Sequence, residues 1–402
     1  MDAAKWIQDL NFLEKKLPES HIRLFHDLKQ NEFYGRLEDL KSQVELLSDE
    51  AILFYLMNLI TSVNDAHTTI CYYDWTFNLI PIQTFLCDDG LVILGAHERV
   101  KHLIGKTVLA INEFKVQEII GDLSAFIPHE NESWLKEKIP EYIVNADLLK
   151  FIGRAVSEDS VIISYLDQGI EKNEKLFTVR SNYIANIRMA WYFDKPGFEL
   201  PAAWRFRQKK YWYQYYNKEK AGYFQYNQCL ETPFESFSIF SDRFFQFLSQ
   251  HELRALIFDV RFNQGGDSDL FSNYFSPKLE SFVNSHQLKL VTITGRRTFS
   301  SGLWVAIEMK KKYNCLLIGE PPGNKPDHYG DQGQFVLPHS KLRINYSKRY
   351  WELTGDHKDS LVPDIYMPVL SSDILAGRDR FLEQAFQSID GFKPIKKQEP
   401  SL

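Results

Sequence analysis

Apolar residues recur at helical spacing through residues 1–60. Leu10, Phe12, Leu13 and Leu17 make one stripe, and Leu37, Leu40, Val44, Leu46 and Leu47 make another. Ser48-Asp49-Glu50 has the form of an N-cap with an acidic first turn, which predicts a further helix over 51–63. The pattern then shortens to strand length at 68–73, 91–96 and 107–111, interrupted by Asp88-Asp89-Gly90 and by Gly105. Residues 120–155 return to helical spacing, and 160–230 read as strands joined by polar loops.

Beyond residue 235 helix and strand alternate. A helix over 234–250 carries Phe237, Phe244, Phe245 and Leu248 on one side. Residues 255–260 form a mostly apolar run of strand length, which runs into the turn Asn263-Gln264-Gly265-Gly266. A helix over 270–283, a strand over 288–294, a helix over 302–313 and a strand over 315–318 complete the series. This order predicts parallel βαβ units with right-handed crossovers. The organisation expected is an N-terminal helical region (1–63), a β-rich middle region (64–230), a catalytic α/β core (231–390) and a flexible tail (391–402). Within the middle region, Ile104-Gly105-Lys106-Thr107-Val108 and the residues up to Val116 resemble the strand that follows the ligand groove of a PDZ domain.

Composition narrows the class. The 402 residues allow two domains, or one with an insertion, and 44% hydrophobic against 25% charged residues excludes a disordered chain. A net charge of -6 supplies no basic stripe for nucleic acid. Cys71, Cys87, Cys229 and Cys315 lack the spacing of a zinc site or a disulfide framework and read as reduced thiols. Without an apolar leader or a run near 18 apolar residues, a cytoplasmic protein with no membrane partner is expected. No metal or cofactor is expected either. The aromatic and basic stretch 183–213, with Trp191, Trp204 and Trp212, fits surface packing better than a substrate wall.

Parallel βαβ folds bind ligands outside the carboxyl ends of their strands. Two polar turns fall at such ends: Arg261-Phe262-Asn263-Gln264-Gly265-Gly266-Asp267, and Gly295-Arg296-Arg297-Thr298-Phe299-Ser300-Ser301-Gly302. The second opens a helix, where backbone N–H groups lack intrahelical partners. A hydroxyl beside such donors, with glycines that let a carbonyl approach, has the parts of acyl-transfer chemistry. Alone, Ser300 reads as an N-cap and Gly265-Gly266 as a tight turn; it is their pairing at neighbouring strand ends that suggests more.

Four blocks in order resemble the C-terminal-processing (tail-specific) serine peptidases and their tricorn-like relatives. They are Asn64-Asp65-Ala66-His67-Thr68, Leu256-Ile257-Phe258-Asp259-Val260-Arg261-Phe262-Asn263-Gln264-Gly265-Gly266, Arg297-Thr298-Phe299-Ser300-Ser301-Gly302 and Leu317-Ile318-Gly319-Glu320-Pro321-Pro322-Gly323-Asn324-Lys325, followed by Val362-Pro363-Asp364-Ile365. The resemblance implies a crotonase/ClpP-like core and a serine peptidase acting on peptides or unfolded chain ends. It puts the nucleophile on Ser300, with Ser301 as competitor. The oxyanion donors would be the N–H groups of Gly265, Gly266 and Ser301. The base is left between Lys325, as in tail-specific members, and His67, as in tricorn-like ones, with Asp359 or Asp356 to orient the imidazole. Pro322 and Asn324 stand where the family has Thr and Gly, and Ala66 where tricorn-like members have Ser. Asp259 and Arg261 are expected to hold the turn. An esterase with the same nucleophile, or a binding protein on the same scaffold, are the rival readings; association of identical copies is left open.

Overall fold

The computed structural model describes residues 1–72, 74–184 and 188–390; the tail expected over 391–402 lies outside the described residues, as does Tyr73 of the strand expected over 68–73. The chain forms two compact units, each assembled from separate stretches: Met1–Phe198 with Asp327–Gly355, and Glu199–Pro326 with the chain from Asp356 onward.

In the first unit the expected helices form at Ala3–Ser20, Gln30–Gln43 and Asp49–Thr61. Asp2 caps the first by accepting from Lys5 N, and Ser48 caps the third by accepting from Ala51 N. Trp6, Leu10, Leu13 and Leu17 bury one helix face, as Phe33, Leu37 and Leu40 do for the next. Two residues assigned to these stripes face solvent instead. Phe12 is 37% exposed, and Leu46 is 87% exposed because the second helix ends at Gln43, before it. A seven-stranded sheet lies among the described residues of this unit. Residues 104–116 contribute strand Thr107–Ile111, strand Phe114–Lys115 and the start of helix Val116–Leu123.

The same unit contains a long antiparallel hairpin, Asp327–Val336 with Arg343–Glu352, whose second strand pairs with Thr69–Cys71. The polar composition of this hairpin hides it from a pattern of apolar residues. It draws 327–355 away from the expected 231–390 region.

The second unit is built on a six-stranded sheet ordered Tyr211–Tyr216, Ala221–Tyr226, Ala255–Asp259, Lys289–Thr294, Leu316–Gly319 and Ile365–Tyr366. The first pair is antiparallel and the remainder are parallel. The predicted βαβ series is therefore present, but it begins one hairpin earlier than 231. Ala221–Tyr226 is buried throughout and pairs with Ala255–Asp259, which ties it to this sheet. Successive residues of the central strands feed opposite faces. Phe224 and Phe258 join Phe244, Phe271 and Phe275 on one side, whereas Tyr223 and Ile257 join Val291, Ile318 and Phe381 on the other. Truncating one of these fully buried phenylalanines to alanine costs about 3–5 kcal/mol.

Trp204 packs on Phe262 and Trp212 on Phe206 and Tyr223, so this part of the aromatic stretch is internal packing. Among the described residues no helix is long and apolar enough to cross a membrane.

Candidate active site

Strand Ala255–Asp259 ends in a buried ionic network. Arg261 contacts Asp259 at 2.7 Å and Asp379 at 2.7 Å, while the Tyr223 hydroxyl donates to Asp259 at 2.6 Å. These groups hold the strand end and start the glycine turn in a fixed direction. Asn263 then organises that turn. Its Oδ1 accepts from Gly265 N at 2.8 Å, its Nδ2 donates to Tyr226 O at 2.9 Å, and its carbonyl accepts from Phe299 N at 2.8 Å.

Both glycines are required by their surroundings. Gly265 has φ 99° and Gly266 φ 128°. A Cβ at Gly265 would sit 2.7 Å from Ser300 Cβ, and one at Gly266 would sit 2.3 Å from Cys229 O.

The neighbouring turn is equally fixed. Thr298 Oγ1 donates to Val260 O at 2.8 Å and accepts from Gly295 N at 3.0 Å. Ser300 follows with φ 52° and ψ -127°, and its side chain makes no capping bond to the helix Ser301–Tyr313. The N-cap reading of its hydroxyl is thereby set aside: the helix is started by the Ser300 carbonyl, which accepts from Leu303 N at 2.9 Å and Trp304 N at 3.2 Å. Ser300 N donates to Asn324 Oδ1 at 2.7 Å, and Ser301 Oγ donates to Gly266 O at 2.7 Å. Gly302 lets the two turns meet, since a Cβ there would lie 2.4 Å from Asn263 O.

The loop that follows strand Leu316–Gly319 closes over the same region. Gly323 N donates to Thr298 O at 2.9 Å and Thr294 Oγ1 to Glu320 O at 2.9 Å, while Glu320 also pairs with Arg296 at 3.2 Å. Ser300, Ser301, Gly265 and Gly266 thus come together as expected from their strand-end positions.

The main-chain donors of this group differ in their bonding. The Gly265 N–H is bound to Asn263 Oδ1. The Gly266 and Ser301 N–H groups donate to no acceptor among the described residues. Ser301, as the first residue of its helix, has no intrahelical acceptor.

Lys325 and Asp359, expected in two separate roles, are paired with each other at 3.1 Å, with side-chain exposures of 30% and 83%. A lysine base requires burial or a neighbouring cation. Lys325 has a carboxylate beside it and a partly exposed side chain.

His67 belongs to the first unit, where it is buried against His328, whose ring stacks on it at 5.7 Å between centroids. Its main chain is pinned at both ends: His67 N donates to Asp65 Oδ1 at 2.8 Å, and His67 O accepts from Gln332 Nε2 at 2.8 Å. Burial pulls the imidazole down to about 4, with Asp65 opposing the shift and His328 adding to it. Asp65 is the node of this cluster. Its Oδ2 accepts from Thr68 Oγ1 at 2.6 Å and Ser347 Oγ at 2.6 Å, and contacts His21 Nε2 at 3.0 Å. His21 Nδ1 accepts from Arg23 N at 3.0 Å, so Nε2 carries the proton and donates. Burial alone would raise the Asp65 carboxyl, but the His21 bond, the His67 charge and the two hydroxyls hold it well below the usual range.

Asp65, His67 and Glu130 bring one ligand atom each to within 4.8 Å of one another. Of the three, Asp65 is already engaged by His21, Thr68 and Ser347. Neither Asn263 nor Asn324 was assigned a role from sequence; an asparagine in a Gly- or Pro-rich turn is a turn signal only.

The site is that of an α/β protein with a serine held on a sharp strand-to-helix turn beside unbonded main-chain donors. No protein-family model matches the sequence, and no curated protein matches it. Among solved structures, mature CPAF complexed with lactacystin shares the fold at a TM-score of 0.67 and 11% identity, covering 96% of this chain and 98% of that one. Mature CPAF on its own matches at a TM-score of 0.65 with 12% identity, covering 98% of this chain and 99% of that one. At such identity the likeness fixes the fold of this chain.

Proposed function

We propose that this protein is a serine peptidase that cleaves peptide bonds through an acyl-enzyme, with Ser300 as nucleophile. The observation that carries the reading is the Ser300 turn itself. A non-glycine residue at φ 52° and ψ -127° is strained, and such strain concentrates at functional sites. A serine on a strained strand-to-helix turn is the arrangement that presents a nucleophile at the top of an α/β sheet. The ordered sequence blocks and the CPAF-like fold support the same assignment, including a crotonase-like identity for the second unit's core.

In this mechanism Ser300 Oγ attacks the scissile carbonyl carbon and its proton passes to the base. The developing oxyanion is bound by the N–H groups of Gly266 and Ser301. Such donors are each worth about 10²–10³ in rate. The base then protonates the leaving amine, and water, deprotonated by the same base, releases the acyl group to regenerate Ser300. The base would be His67 or Lys325: burial pulls the His67 imidazole down to about 4, which weakens it as a proton acceptor, and Lys325 is paired with Asp359 at 3.1 Å. The substrates would be peptides or unfolded chain ends, with residues 104–116 as part of a PDZ-like element.

The test is acylation by a fluorophosphonate probe together with turnover of peptide and ester substrates. Stoichiometric labelling at Ser300 with peptide turnover supports a peptidase. Ester turnover alone would make it an esterase, and a folded protein that neither labels nor turns over substrate would overturn the reading in favour of a binding protein.

A further inference from the structure

We propose that Asn324 is a positioning residue that locks the reactive backbone conformation of Ser300, acting through the Ser300 amide. The proposal rests on the reading of Ser300 as nucleophile. A serine at φ 52° and ψ -127° is strained relative to ordinary backbone and persists only where its surroundings over-determine it. The direct route of relaxation is a half-turn of the Phe299–Ser300 peptide plane, which carries φ of Ser300 from positive to negative. That rotation swings the Ser300 N–H to the opposite side.

Asn324 opposes this movement. The Ser300 N–H donates to Asn324 Oδ1 at 2.7 Å. Flipping the peptide would break that bond and leave the donor to find another acceptor, which disfavours the flip. Asn324 is itself fully buried, in a loop anchored independently of Ser300. Gly323 N bonds to Thr298 O at 2.9 Å, and Ser360 Oγ bonds to Pro322 O at 3.1 Å. The side-chain oxygen is therefore presented to the turn by the loop, and the turn conforms to it.

The bond has a second consequence. It directs the Ser300 N–H away from the pair of donors at Gly266 and Ser301, just as Asn263 removes the Gly265 N–H. Two asparagine oxygens thus take one amide from each turn, and the amide that follows each of them is left unbonded.

The experiment compares Asn324→Ala, which removes the acceptor, with Asn324→Asp, which keeps a side-chain oxygen in place, using the full chain. Fluorophosphonate acylation of Ser300 should slow by about 10- to 100-fold in Asn324→Ala, and Asn324→Asp should recover most of that loss. The amide resonance of Ser300 should move upfield in Asn324→Ala and remain near its original position in Asn324→Asp. In the unmodified protein the Ser300 amide should exchange slowly with solvent, a measurement that needs no variant to fold. Acylation of folded Asn324→Ala at the original rate, or rapid exchange of the Ser300 amide, would overturn the proposal. Absence of labelling in the unmodified protein would instead count against Ser300 as nucleophile, while the amide exchange would still decide the Asn324 bond.

Discussion

The Ser301 hydroxyl donates to the Gly266 carbonyl across 2.7 Å, a bond that engages one of the two consecutive serines. Ser301 ties the helix start to the glycine turn, whereas Ser300 makes no such capping bond. Ser300→Ala should therefore abolish probe labelling and lower peptide turnover by roughly 10³-fold or more, in line with removal of a catalytic nucleophile. Ser301→Ala should keep Ser300 labelling and lose about tenfold or less in rate, because its main-chain N–H survives the substitution. Active-site titration of both variants separates the outcomes; labelling lost in Ser301→Ala but kept in Ser300→Ala would reverse the assignment.

Gly302 is the point of closest approach between the two turns. A methyl group there would meet Asn263 O at 2.4 Å, and this oxygen is also the acceptor for Phe299 N. Gly302→Ala should lower unfolding free energy by about 1–3 kcal/mol, the usual range for overpacking a rigid site. It should also slow Ser300 acylation, since the backbone that must yield carries both turns. Urea denaturation and probe labelling measured on the same sample check the two effects.

How far these features were legible in the sequence follows from which interactions carry them. The parallel strands of the second unit were readable because strands buried on both faces become continuous apolar runs, as in Ala255–Asp259. The turns were readable because Gly265-Gly266 and Ser300 fall where those runs stop. The hairpin Asp327–Val336 with Arg343–Glu352 was not, since its ladder is held by main-chain bonds beneath polar side chains. Asn324 was equally silent. Its importance lies in one side-chain oxygen meeting one amide 24 residues away, and no local pattern encodes that. The exposure of Leu46 shows the converse error, an apolar periodicity continued beyond the end of its helix.

Lys325 and Asp359 form a pair whose partners are 30% and 83% exposed, which places it among ion pairs worth about 0–1 kcal/mol. Lys325→Ala should leave unfolding free energy almost unchanged. If His67 is the base, Lys325→Ala should also keep peptide turnover within about tenfold, whereas His67→Ala should lose on the order of 10²–10⁴. Steady-state kinetics on both variants decide the matter. A collapse in Lys325→Ala with turnover preserved in His67→Ala would move the base to the lysine.

The His67 cluster makes stability depend on pH in two separable windows. Burial lowers the folded imidazole to about 4 from its ordinary 6.5, so between these values the unfolded chain binds more protons than the folded one. His67 therefore contributes stability that is fully present above pH 6.5 and is lost as pH falls towards 4. Asp65 acts lower on the scale: its depressed carboxyl contributes stability present above the ordinary carboxylate range and lost only on further acidification. Between pH 7 and pH 4.5, His67 should account for a loss on the order of 2 kcal/mol, and His67→Gln should flatten that part of the profile without altering the steeper fall below it. Urea titrations at stepped pH, with the His67 imidazole followed by NMR, test the assignment directly. An imidazole midpoint near 6.5, with the slope unchanged in His67→Gln, would mean that water reaches the ring and that burial does not govern its protonation.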